Sequence, residues 1–377
     1  MTDGMNMEPL KVNKDLLKQI QAPLLNWFVE HARVLPWRER PLPYYIWVSE
    51  IMLQQTRVEA VKPYFERFMR ELPDIRALAD CPEDRLMKLW EGLGYYSRAR
   101  NLQRAAQIVM ETYDGKLPEN YEELIRLPGI GSYTAGAIAS IAYGQAVPAV
   151  DGNVLRVLSR ITENAEDISK QSTKKSAEDA LHAVMPPDAP GVFNQALMEL
   201  GALICVPNGY PQCGDCPLRS LCRASLDGRQ TEFPVKTPKK PRRIEERTVF
   251  VIRDSSHAAL RRRPARGLLA GLYELPNEKG SLSMEEALDW VASLEFLPIR
   301  IHPLPEAKHI FSHVEWHMTG YSVLVEDCEK QVVPSDTDSS DAKSPLFFIE
   351  PDVIRRKYPI PSAFDAYRKF ILPESEF

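Results

Sequence analysis

Four cysteines fall within eighteen residues, Cys205, Cys213, Cys216 and Cys222, separated by seven, two and five residues. So short a loop can bring four thiolates around one centre, either tetrahedral zinc or an iron–sulfur cluster, and ligand type alone does not separate the two. The remaining cysteines, Cys81 and Cys328, stand alone. The first ten residues carry acidic groups and no apolar core, so nothing reads as a secretory signal. Without an oxidising compartment, clustered cysteines suggest a metal or cluster site before disulfides, and a cytoplasmic location is expected. One look-alike is set aside. Zinc deaminases place H-x-E ahead of P-C-x-x-C, whereas here His313-Val314-Glu315 follows the cysteines and Gln212 separates Pro211 from Cys213.

A chain of 377 residues exceeds what one ordinary core serves, so two domains are expected. Its 44% hydrophobic and 26% charged residues are those of a globular protein. A net charge of −5 argues mildly against a nucleic-acid partner, but net charge does not report distribution, and a local basic groove can sit in an acidic molecule. The uncharged run from Ile130 to Val150 is broken by Gly131, Gly136, Gly144, Gln145 and Pro148. It reads as a buried helix plus a loop and not as a membrane span.

Residues 1–225 read as helices joined by short turns. Leu16, Leu17, Ile20, Leu24, Leu25 and Phe28 recur at helical spacing around Pro23. Val48, Ile51, Met52, Val58 and Val61 mark another helix, which Pro63 should end or kink. Further helices are expected at Leu102–Tyr113, Thr134–Ala142, Val154–Ile161 and Phe193–Ile204. Residues 226–247 form a basic linker, with Pro234, Pro238 and Pro241 interleaved among lysines and arginines. From 248 to 377 a smaller α+β domain is expected. Thr248–Ile252 and His313–Val325 have strand patterns, and Ser283 with Glu286 forms a capping box ahead of Ala287, Leu288, Trp290 and Val291. Pro334–Ser344 reads as an acidic loop.

Between two of the helices lies Leu127-Pro128-Gly129-Ile130-Gly131-Ser132-Tyr133. Gly129 and Gly131 permit positive φ and close backbone approach, and amides opening the next helix suit a phosphate. Twenty residues beyond Gly131, Asp151-Gly152-Asn153 opens an apolar helical run. Asp151 there is an N-cap, and amide hydrogen bonds at a helix N-terminus should lower its pKa and keep it ionised. Glu50 sits among Trp47, Val48, Ile51, Met52 and Leu53. As bare pattern it is the wet position of an amphipathic helix; if buried, its apolar surroundings would raise its pKa.

A helix-hairpin-helix, a following aspartate and a four-cysteine loop together resemble the iron–sulfur branch of the helix-hairpin-helix DNA glycosylases. Endonuclease III of that branch carries a lysine nucleophile in L-P-G-V-G-x-K-T-A, where this chain has Tyr133, so Schiff-base strand scission is not expected. The stretches Trp47 to Thr56, Leu35-Pro36-Trp37-Arg38 and Trp90 to Leu102 instead resemble the MutY adenine glycosylase family. The resemblance is strong over residues 14–225. It is diffuse beyond, where Gly267–Pro276 and His309–Trp316 are similar to the MutY C-terminal, Nudix-like domain. The family usually has six residues between its first two cluster cysteines, and here seven intervene.

What the resemblance implies is a mainly α catalytic domain followed by a Nudix-like recognition module without the Glu-rich hydrolase signature. It implies a [4Fe-4S] cluster on Cys205, Cys213, Cys216 and Cys222. The activity implied is monofunctional removal of adenine mispaired with 8-oxoguanine or guanine in double-stranded DNA, by a monomer that is nucleoid-associated when at work. Glu50 would be the general acid and Asp151 the stabiliser of a cationic sugar, with Tyr133 and Asn153 beside them. Trp37 and Arg38 would line the base pocket. Gln55 and Tyr95 would fill and wedge the stack, with Thr56, Leu93, Gly129 and Gly131 also at the DNA. Phe311, Ser312 and His313 would meet the oxidised guanine. The rival readings are a glycosylase-lyase, a DNA-binding or redox protein worked by its cluster, and a nucleotide pyrophosphohydrolase.

Overall fold

A computed structural model describes residues 14–238, 241–327 and 346–371. The expected loop Pro334–Ser344 lies outside these. The chain divides into two compact units, Met1–Asp80 with Arg100–Pro238, and Cys81–Ala99 with Lys239–Phe377. The short stretch Cys81–Ala99 thus groups with the C-terminal half, a separation by contact that no compositional boundary announces.

The first unit is built of helices, and among the described residues no strand precedes Arg243. Two expected helices are broken. The Leu16–Phe28 pattern divides into Lys14–Gln19 and Gln21–His31. Pro23 falls in the first turn of the second piece, where its missing N–H has no intrahelical acceptor to lose. The Val48–Val61 pattern divides into Pro43–Leu53 and Val58–Glu71, with Gln55 between them at φ 57°. Pro63 neither ends nor separates these. It lies inside the second helix, whose apolar stripe of Val61, Phe65, Phe68 and Met69 is buried. That burial outweighs the single backbone bond a proline removes. The other expected helices are present as Ser97–Thr112, Ser132–Tyr143, Gly152–Thr162 and Pro190–Leu203.

The hairpin joins Tyr121–Leu124 to Ser132–Tyr143. Of its two glycines only Gly129 uses a left-handed conformation, φ 78°, where an added Cβ would stand 2.8 Å from Asn101 Cβ. Gly131 is extended and serves as N-cap residue of the trailing helix, so it does not need the freedom expected of it. After that helix the chain returns through Pro148 and Ala149 to Asp151. Two devices hold this return. Buried Asn194 accepts from Ala149 N–H at 3.0 Å and donates to Val147 O and Ser140 Oγ at 2.9 and 2.8 Å. Gly136 admits the Pro148 carbonyl so closely that a Cβ would lie 2.2 Å from its oxygen.

The second unit is α+β, as its patterns imply. Its mixed sheet runs in the order Tyr273–Glu274, Ala258–Arg262, Arg243–Arg253, Val314–Val325, Pro298–Ile310, with Asn277–Lys279 and Leu346–Ile349 pairing off this path. Arg243–Arg253 and Val314–Val325 are parallel, and the other pairings are antiparallel. The first of these strands begins inside the stretch read as linker. Alternation sends Val249 and Val251 to one apolar cluster and Phe250 and Ile252 to another, so both faces are covered and the strand reads as a continuous apolar run. The Ser283–Glu286 capping box forms, opening Met284–Ala292. Among the described residues no helix is long and apolar enough to cross a membrane.

Replacing Gly136 by alanine tests the return. Helix propensity favours alanine by about 1 kcal/mol, but the clash demands a backbone shift costing about 1–3 kcal/mol. A lower melting temperature is expected; an unchanged or higher one would show that the close approach is not needed.

Candidate active site

Several helices of the first unit open a cleft of about 660 Å³. Its walls carry Trp37, Arg38, Glu50, Gln55, Thr56, Tyr133, Asp151 and Asn153, residues separated by up to 116 positions and brought together by the fold. Gly129 and Gly131 remain at the hairpin and do not line it.

Glu50 lies on Pro43–Leu53, a helix buried on nearly every side because Tyr44, Ile46, Trp47, Val48, Ile51 and Met52 all pack inward. The wet-position reading is therefore excluded: Glu50 is 7% exposed, and its Oε2 has no hydrogen-bond partner. Burial pushes its carboxyl up to about 7. The Tyr133 hydroxyl and the Arg38 charge counter this, while Asp151 adds to it. Tyr133 comes from the trailing hairpin helix, and its hydroxyl also lies 3.1 Å from Met198 Sδ. Burial, followed by Glu50 and Asp151, raises its pKa well above the usual phenol range.

Asp151 caps Gly152–Thr162, accepting Val154 N–H at 2.8 Å on Oδ1 and Asn153 Nδ2 at 2.7 Å on Oδ2. The expectation of a lowered pKa is corrected. Desolvation dominates and raises it, with the bonds from Val154 and Asn153 and the Arg156 charge only partly offsetting burial. A cap lowers a carboxyl pKa when the group stays wet; here the cap lies inside a cleft wall. The same contacts act on the anion, so they hold the oxygens in place whatever the balance.

Behind Asn153 stands Arg156, which sequence patterning passed over as one position of an apolar helix. It donates to Asn153 Oδ1 at 2.9 Å, Gly201 O at 2.7 Å and Cys205 O at 2.7 Å. Gly201 has no side chain because a Cβ would lie 2.7 Å from Asn153 Cβ. One turn on, Arg160 donates to Cys205 Sγ at 3.2 Å and to Val206 O at 3.0 Å. A continuous hydrogen-bonded path therefore runs from Cys205 to the Asp151 carboxylate. The signal was there: two arginines in the run Val154–Ile161 are 7% and 3% exposed, which polar groups tolerate only when bonded.

Cys205, Cys213, Cys216 and Cys222 are all free thiols. Burial pushes the Cys216 thiol up to about 12, and Cys205, Cys222 and Cys213 each raise it further, so the four act on one another. Among the described residues no three His, Cys, Asp or Glu converge on a single-ion site. The donor set, four sulfurs in one loop with a guanidinium on one of them, suits a group that turns thiols into thiolates.

The second unit holds the other expected contacts. Leu93 is buried, while Tyr95 is 46% exposed at φ 46°. The Tyr95 hydroxyl lies 3.1 Å from Ser312 Oγ. Ser312 and His313 are exposed, and the Phe311 ring packs on Trp316 with centroids 4.9 Å apart.

Residues 48–183 match the HhH-GPD superfamily of base excision DNA repair proteins, and residues 248–369 match the NUDIX domain. A rat protein named adenine DNA glycosylase is 36% identical over 363 residues, covering 80% of this chain and 70% of the relative. One of the same name from Buchnera aphidicola (strain Bp) is 34% identical over 306 residues, covering 80% of this chain and 85% of the relative. Among solved structures, a thermostable thymine-DNA glycosylase is 27% identical with a TM-score of 0.52, covering 58% of this chain and 100% of its own.

Burial of Glu50 has a thermodynamic signature. Its folded pKa of about 7 lies above the unfolded value, so the native state gains least from ionisation, and stability falls as pH rises from the unfolded value through the folded one. The penalty above pH 7 should be on the order of 3 kcal/mol. The Glu50→Gln variant should therefore gain melting temperature over the parent between pH 4.5 and 7, with the difference level beyond. A difference that is constant with pH would mean the carboxyl is solvated.

Proposed function

This chain belongs to the adenine DNA glycosylase family, base excision repair enzymes that hydrolyse N-glycosyl bonds, and from that premise we propose that its substrate is adenine mispaired with 8-oxoguanine, or with guanine, in duplex DNA. The observation that carries the reading is a carboxyl in the cleft able to hold its proton near neutral pH beside a second, capped carboxylate. Cleaving the bond between sugar C1′ and adenine N9 needs a leaving base made neutral and a cationic sugar made tolerable. Glu50 gives its proton to adenine N7. The bond breaks with its electron pair on the base, and the Asp151 carboxylate faces the oxocarbenium-like C1′. Water adds to C1′ and returns a proton to Glu50, leaving free adenine and an abasic site. Val154 and Asn153 hold the Asp151 oxygens, Arg156 holds Asn153, and the Tyr133 hydroxyl hydrogen-bonds Glu50.

The adenine must leave the stack first, at a cost of a few kcal/mol that is least for a mispaired base. Trp37 and Arg38 receive it, Gln55 and Tyr95 fill the gap and wedge the stack, and Thr56 and Leu93 also meet the DNA. Gly129 and Gly131 present hairpin amides to phosphate. Phe311, Ser312 and His313 meet the opposing oxidised guanine. Cys205, Cys213, Cys216 and Cys222 hold a [4Fe-4S] cluster, which when bound supplies a covalent clamp on the loop and a redox-active centre. The Arg160 guanidinium is placed to offset its thiolate charge.

Single-turnover cleavage of a labelled duplex with adenine opposite 8-oxoguanine tests the reading. A shorter strand should appear only after alkali, because Tyr133 offers no amine for strand scission. Scission without alkali would overturn monofunctional hydrolysis. Glu50→Gln and Asp151→Asn should each slow excision by at least about 100-fold while mismatch binding remains measurable; normal turnover by either variant would remove its carboxyl from the mechanism. Because the protonated form of Glu50 acts, the rate should fall as pH rises above about 7.

A further inference from the structure

Beneath the cleft wall Glu199 is 1% exposed, yet it carries two guanidiniums. Arg33 donates to it from Nε at 2.8 Å, from its second guanidinium nitrogen at 2.9 Å and from its backbone N–H at 3.0 Å. Arg38 donates to the other oxygen at 2.9 Å and, through Nε, to Gln195 Oε1 at 3.0 Å. Arg33, Arg38, Gln195 and Glu199 all line the cleft that holds Glu50. The groups acting on Glu50 are Tyr133, Asp151 and Arg38, and of these only Arg38 is a cation. Two arginines on one carboxylate leave a net positive charge, and removing the carboxylate would double it in a low-dielectric wall.

We propose that Glu199 is a positioning residue that fixes Arg38 on the wall of the cleft and cancels enough of its charge for Glu50 to keep the proton it must deliver. Although burial alone would raise the Glu199 carboxyl, hydrogen bonds from Arg33 and Arg38 hold it down at about 2, so it is an anion throughout the working range. Its charge is constant, and it acts as a fixed counter-ion that takes no part in proton transfer. A neutral replacement leaves Arg38 free to favour ionised Glu50, and the proton is then lost at lower pH. This inference rests on Glu50 being the general acid.

The test is the pH profile of single-turnover adenine excision. In the Glu199→Gln variant the descending limb should move to lower pH by about one unit, which is about tenfold in rate above the limb and little change below it. Glu199→Asp should restore part of the shift, because the charge survives. Arg38→Gln should move the limb the other way, and it does so with Glu199 intact, so the proposal stays testable if Glu199→Gln fails to fold. A uniform loss across pH with a lowered melting temperature, or an Arg38→Gln limb that does not move, would reduce Glu199 to a structural clamp and overturn the proposal. Should Glu50→Gln itself turn over normally, the general-acid reading fails first, which separates the two outcomes.

Discussion

Placing a carboxyl inside an apolar helix bundle is the constraint around which the first unit is arranged. Glu50 cannot be wetted, because the residues flanking it on Pro43–Leu53 are themselves core. A buried carboxyl is tolerable when it holds a proton or faces a cation. The fold supplies both conditions in moderation. Arg38 stands close enough to act on Glu50, but is itself engaged by Glu199 and Gln195. The outcome is a group that titrates near neutrality instead of one driven fully to either form.

The second carboxyl is treated differently. Asp151 sits at a helix N-terminus, with Val154 and Asn153 bonding its two oxygens. Its position depends on glycines and polar side chains some distance away: Gly136 lets the returning segment lie close, Asn194 fastens it, and Gly201 leaves room for Asn153. Arg156 continues the chain of bonds to the Cys205 carbonyl. Three hydrogen bonds thus connect the Cys205 carbonyl, through Arg156 and Asn153, to Asp151.

Much of this was legible before the fold was known. The four cysteines, the hairpin, the Asp151 cap and the Ser283–Glu286 capping box are local signatures, each set by residues a few positions apart. Four of the helices read from period 3.6 were found with their ends displaced by a few residues, and two were found divided. What failed did so where distant packing overrode a local rule. Pro63 was expected to end or kink a helix, and the helix runs on past it along its buried apolar stripe. Asp151 was expected to have a lowered pKa, and its place in the cleft wall reversed the direction. Glu199 attracted no notice, because a single acid on an amphipathic helix is ordinarily solvated.

The sequence by itself determined that four cysteines share one short loop, that Glu50 lies in an apolar run and Asp151 opens a helix, that Tyr133 stands in the hairpin where a lyase would have lysine, and that a helical unit is followed by an α+β unit. These follow from residue type and short spacing, which a chain carries without folding. Only the tertiary structure decided that Glu50 is dry, that the Tyr133 hydroxyl reaches it, that Arg33 and Arg38 share Glu199, and that Cys81–Ala99 groups with the C-terminal half. Burial and charge are properties of a neighbourhood, and these neighbours lie far apart in the chain, Arg33 and Glu199 by 166 positions and Glu91 and Arg368 by 277.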